Sequence, residues 1–153
     1  MKKTLRIALL GGGTIARLVL EQGRRGALSD IEVVALAGRS ADSPAASLAR
    51  RFGVEYVIGT KALLALRPDA VLEAASHDAV RQHLVALLDG GASVVVLSAG
   101  ALADDTLREA AEAAARRSGA LLYVPSGGIG GLDALKTACL AGVDEASIQV
   151  AKP

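Results

Sequence analysis

"LRIALLGGGTIARLVLEQG", residues 5–23, decides the fold. An apolar run broken only by Arg6 leads into three consecutive glycines, and a stretch with the apolar spacing of a helix follows. Gly11, Gly13 and Ala16 fit G-x-G-x-x-G/A at the point where a strand ends and a helix opens. In that setting Gly11 permits a tight turn, Gly13 lets the backbone approach a pyrophosphate, and Ala16 lets helix and strand pack closely. Gly12 falls at a variable position of the pattern. The start of the helix adds oriented N–H donors and partial positive charge, both suited to phosphate. No G-K-[ST] follows at the spacing of a Walker loop, which excludes that second kind of phosphate site. The other reading of a glycine run is a flexible turn without a ligand, and the rest of the chain argues against it.

Beyond the glycines the chain alternates. Apolar runs recur at residues 5–10, 31–37, 70–75, 93–98 and 120–125, with helical spacing over 14–25, 44–52, 77–89 and 104–118. "YVIGT" (56–60) adds a short strand and 61–66 a short helix. Runs that are apolar at nearly every residue predict strands buried on both faces, as in a parallel sheet between helical layers. The expected class is therefore α/β, a Rossmann-type doubly wound parallel sheet. Ser43 before Pro44, Ser76 and Asp104 read as N-caps, and Gly90-Gly91 and Gly119 as helix stops.

In such a sheet the end of the second strand faces the adenosine ribose, where an NAD site carries Asp or Glu. Here the segment is "LAGRS", with Gly38, Arg39 and Ser40 in that place. A guanidinium beside a small residue suits the 2′-phosphate of NADP, and Ser40 adds a hydroxyl, so NADP is favoured over NAD. The bland alternative for Arg39 is a solvated loop arginine. "EAASHDAV" (73–80) and "VPSGGIGGLDAL" (124–135) likewise follow strands, which puts Ala75, Ser76, His77 and the later glycines at the carboxyl edge of the sheet. Read alone, His77 is equally a capping or surface histidine.

Bulk composition narrows the remaining classes. With 17 basic and 16 acidic residues among 153 and 2% aromatics, the chain has neither the positive field nor the stacking surface of a nucleic-acid binder. Cys139 is the single cysteine and no Cys/His cluster has metal-site spacing, so no disulfide or metal is expected and a reducing cytoplasm fits. Lys2 and Lys3 precede an apolar run that the glycines end too early for an export signal, and no run approaches the ~20 residues that span a bilayer.

Taken together, "GGGTIA", "EAASHDAV", "VVLSAGALAD" (95–104), "YVPSGGIGGLDALKTA" (123–138) and "GVDEASIQVAKP" (142–153) resemble the N-terminal portion of the L-aspartate dehydrogenase family. The resemblance implies NAD- or NADP-dependent oxidation of L-aspartate to iminoaspartate by hydride transfer. It places Gly11, Gly13, Thr14 and Ile15 at the pyrophosphate turn, Ala75 and Ser76 at the cofactor-contacting strand end, His77 beside the cofactor, and Gly128, often Ala in the family, at a backbone contact. The family's catalytic histidine belongs to the second domain and has no counterpart in residues 1–153. The implied organisation is a dinucleotide-binding domain over 1–125, then a linking helix and the first strand of a truncated substrate and dimerisation domain over 126–153. That strand is expected around 146–151, and Ile148 and Val150 would form an apolar edge. The complete enzyme is expected to be a homodimer, and this portion alone to bind cofactor but turn over aspartate poorly or not at all. Relatives of homoserine dehydrogenase or dihydrodipicolinate reductase, and a non-catalytic NAD(P)-binding sensor, are the alternative readings.

Overall fold

The computed structural model describes residues 4–126, 132–147 and 149. Its strands are β1 (Leu5–Leu10), β2 (Ile31–Gly38), β3 (Glu55–Ile58), β4 (Ala70–Glu73), β5 (Ser93–Val96) and β6 (Leu122–Tyr123). The helices are α1 (Thr14–Arg24), α2 (Pro44–Phe52), α3 (Thr60–Ala65), α4 (His77–Asp89), α5 (Asp105–Ser118) and α6 (Leu132–Ala141), and a 3-10 helix spans Ala99–Ala103. The strands form one sheet in the order β3-β2-β1-β4-β5-β6, with every neighbouring pair parallel. The expected doubly wound class is what the chain adopts.

Alternation along the strands sorts the core into two layers. Ile7 and Leu9 of β1 and Leu36 of β2 pack with Ala16 and Leu20 of α1 and Leu48 and Ala49 of α2. Ala8 and Leu10, one residue out of phase, join Leu63 of α3, Leu84 and Leu88 of α4, and Ala111 and Ala114 of α5. Leu9 and Leu36 are fully buried, and each such leucine contributes about 1.5–3 kcal/mol over an exposed one. Ala16 has no exposed surface, so helix and strand do approach closely there.

Helix ends follow the sequence signals. The hydroxyls of Ser43 and Ser76 accept from the N–H groups of Ala46 (3.4 Å) and Ala79 (3.2 Å), and the Asp104 carboxylate accepts from that of Leu107 (3.2 Å). Gly119 ends α5 with φ +76°, and Gly91, just past α4, has φ +83°. The last three strands are shorter than the apolar runs suggest. After Glu73 the chain turns to place a carboxylate under its own backbone, and after Val96 it enters the 3-10 helix, so neither run continues as strand.

Gly128 lies outside the described residues, and so does half of the strand expected around 146–151, including Ile148 and Val150; the described positions 146, 147 and 149 are not in a strand. Among the described residues no helix is long and apolar enough to cross a membrane, and no group of three His, Cys, Asp or Glu could hold a metal.

Candidate functional site

β1 lies between β2 and β4, so the connections leaving β1 and those serving β4 run to opposite sides of the sheet. Such a reversal opens a crevice beyond the carboxyl ends of the strands, the place where ligands bind in open α/β sheets. The three glycines sit in it.

Each glycine answers a different physical demand. Gly11 has φ +112°, and a β-carbon on it would stand 2.6 Å from the carbonyl oxygen of Ala74, so the turn passes hard against the end of β4. Its N–H donates to the carbonyl of Ala37 on β2 at 2.9 Å. Gly12 is not a free position. A β-carbon there would stand 2.1 Å from the backbone nitrogen of Ala45, because the start of α2 packs directly on the turn. Gly13, in contrast, has no neighbour within 4 Å of where a β-carbon would be.

That open space lies at the N-terminus of α1. Gly13 is the N-cap and offers no side-chain hydrogen bond, so the first-turn N–H groups have no capping partner from it. Thr14 and Ile15 are exposed, Ile15 by 47%. A cradle that a β-carbon would fill, together with uncapped donors and a helix dipole, fits a pyrophosphate.

On the β2 side, Gly38 ends the strand and Arg39 and Ser40 are exposed, and neither side chain has a hydrogen bond or ion pair among the described residues. The turn after them is tied down. Tyr56 of β3 donates its hydroxyl to the Ser40 carbonyl at 2.5 Å and lies 2.8 Å from the Ser43 hydroxyl.

On the β4 side a residue that sequence reasoning passed over organises the edge. Glu73 is 1% exposed. Its carboxylate accepts from the Ala75 N–H at 2.8 Å, the Ser98 N–H at 2.9 Å and the Ser98 hydroxyl at 2.9 Å. One buried anion thereby joins the β4–α4 turn to the β5 exit. An acid closing an otherwise apolar strand, "AVLE", was the available signal. Ala75, Ser76 and His77 are all exposed at this edge. The Ser76 hydroxyl is engaged as a cap, and the His77 imidazole packs on Gly100, where a β-carbon would meet Cε1 and Nε2 at 2.9 Å.

Beneath these groups is a hollow of about 10 Å³, roughly one water, lined in part by Leu10, Gly38, Gly59, Thr60 and His83. The Thr60 hydroxyl and Nδ1 of His83 are 2.8 Å apart, and burial holds the His83 pKa below its ordinary value.

Similarity to known proteins agrees with this geometry. The sequence profile of the homoserine dehydrogenase NAD-binding domain matches residues 11–125. L-aspartate dehydrogenase 2 of Bordetella pertussis is 41% identical over 145 residues, which is 95% of this chain and 52% of that protein. Biliverdin reductase from Synechocystis, solved with biliverdin and NADP+, superposes with a TM-score of 0.65 at 27% identity, over 80% of this chain and 38% of that one. A 3-ketoreductase from Actinomadura kijaniata, solved with NADP and TDP-benzene, gives 0.65 at 29% identity, over 80% and 37%. The chain spans about half the length of the curated relatives it matches. With three-quarters of its length inside that profile and the strand–glycine–helix crevice in place, the chain belongs to the family of the homoserine dehydrogenase NAD-binding domain, and the curated relatives it resembles are L-aspartate dehydrogenases.

Proposed function

We propose that this chain is the NAD(P)-binding portion of an enzyme that oxidises L-aspartate to iminoaspartate, with NADP favoured over NAD. The observation that carries the reading is the contrast among the glycines: backbone crowds positions 11 and 12, while the space over Gly13, at the uncapped start of α1, is open. In this reading the N–H groups of Thr14 and Ile15 hold the pyrophosphate, and Arg39 and Ser40 meet the 2′-phosphate of the ribose. The Glu73-anchored turn through Ala75, Ser76 and His77 borders the nicotinamide end, with Gly128 a further backbone contact. When bound, the cofactor supplies the hydride chemistry, while the protein supplies distance and orientation.

L-Aspartate as substrate is supported by the relatives, whose match necessarily runs past residue 125, the end of the cofactor-domain profile. Residues 126–153 would open the substrate domain, and the proton-transferring histidine and a homodimer interface would belong to that second half. Homoserine oxidation is the second reading, favoured by the family profile itself. The product of the whole gene, assayed for NADP reduction with L-aspartate and with L-homoserine, separates the two.

Calorimetric titration of the 153-residue chain tests the site directly. NADP should bind at least as tightly as NAD, and Gly13→Val should abolish both, because its branched side chain takes the pyrophosphate's place. Undiminished binding by the Gly13→Val chain would refute the reading. Tighter binding of NAD would reverse the cofactor preference and point to Asp42, an exposed acid in the same turn, as the 2′-hydroxyl acceptor.

A further inference from the structure

We infer that Tyr56 is the positioning residue that sets discrimination at the ribose 2′ position, although it lies on the next strand and its own side chain makes no contact with the dinucleotide. The inference rests on the dinucleotide reading above. Three observations converge on this phenol. First, the hydrogens run in one direction: Tyr56 donates to the Ser40 carbonyl at 2.5 Å, so its oxygen is left to accept from the Ser43 hydroxyl at 2.8 Å. The Ser43 oxygen in turn accepts from the Ala46 N–H at 3.4 Å, so the chain of hydrogen bonds ends on the start of α2. Ser43 is 7% exposed, and the Ser43 N–H also reaches the Ser40 carbonyl at 3.1 Å. The turn from 40 to 43 is thus closed from two sides.

Second, the same two hydroxyls occupy the space beside Gly38. A β-carbon there would stand 2.5 Å from the Ser43 oxygen and 2.6 Å from the Tyr56 oxygen. A carboxylate at position 38, one place for the acceptor that NAD sites use, is therefore excluded while Tyr56 is present. Third, the closed turn leaves the side chains of Arg39 and Ser40 exposed and without partners among the described residues, at the edge of the crevice. The phenol excludes a carboxylate from position 38 and fixes the backbone that carries the phosphate-binding groups.

The test is calorimetric titration of the parent chain and its Tyr56→Phe variant with NADP and NAD. Losing the hydroxyl should weaken NADP binding about tenfold, the scale of one charge-assisted contact, and leave NAD binding within about twofold. Gly38→Ala, which pushes the hydroxyl pair apart from the other side, should produce the same NADP-selective loss, and it keeps the question open to measurement if Tyr56→Phe melts early. The double variant should lose no more than either single one, because both break one unit. An unchanged NADP-to-NAD ratio in both single variants, or equal loss of the two nucleotides, overturns the assignment. A parent chain that binds neither nucleotide overturns the dinucleotide reading itself, and one that binds both with a ratio insensitive to Tyr56 overturns this inference alone.

Discussion

A single methyl group separates the roles of Gly12 and Gly13. At Gly13 an added β-carbon meets nothing, and φ is −82°, a conformation any residue adopts, so Gly13→Ala should leave the melting temperature nearly unchanged while weakening dinucleotide binding. At Gly12 the same carbon would meet the nitrogen and Cα of Ala45 at 2.1 and 2.3 Å. Both are backbone atoms with no flexible end to yield, so Gly12→Ala should cost on the order of 1–3 kcal/mol by thermal unfolding, as overpacking does. Equal melting temperatures for the two variants would contradict the packing described. Glu73 is the other residue whose atoms can be counted. Its carboxylate takes three hydrogen bonds from two segments, and glutamine would turn an acceptor oxygen into a donor facing an N–H or hydroxyl. Glu73→Gln should therefore lower stability by about 1–3 kcal/mol in urea unfolding, the cost of leaving a buried donor unpaired. It should also loosen the 74–76 turn, read as faster amide exchange at Ala75.

At the level of elements, α2, α4 and α5 begin with polar caps, whereas α1 and the six-residue α3 begin at glycines. Ser76→Ala and Asp104→Ala each remove an acceptor from a first-turn N–H and should cost ~1 kcal/mol by denaturant titration, and no change in either would show that the caps contribute nothing. α1 is left uncapped by Gly13, which is a local inconsistency unless something else meets its donors. Most of the fold was readable because its signals are local: apolar runs of strand length, serine and aspartate caps, and glycine stops. Boundaries slipped where side-chain hydrogen bonds decide them, as at Glu73, whose carboxylate takes the Ala75 N–H two residues on and the Ser98 N–H beyond β5. The glycine turn of the site was legible from spacing alone. The crowding at Gly12, the Tyr56 link to Ser40 and the Glu73 anchor were not, because each joins residues whose proximity only the assembled sheet creates: Gly12 to Ala45, Tyr56 to Ser40, Glu73 to Ser98.

Across the whole molecule the same crevice couples folding to pH. His83 of α4 reaches over to Thr60 at the start of α3, and both line the small hollow under the carboxyl ends of β1 and β2. Burial lowers the His83 pKa from 6.5, so the folded chain resists a proton that the unfolded chain accepts. Above pH about 6.5 the ring is neutral in both states and makes no difference to stability. As pH falls below that value the unfolded state gains protons first, so the free energy of unfolding declines, and the decline from this group stops once the folded pKa is passed. Urea unfolding at pH 7.5, 6.5 and 5.5 should therefore show stability falling toward the acid side. His83→Gln cannot take up that proton yet can still bond Thr60, so it should flatten this part of the profile. A variant profile parallel to that of the parent would mean that the acid sensitivity arises from other groups and that the Thr60–His83 contact is indifferent to the charge on the ring.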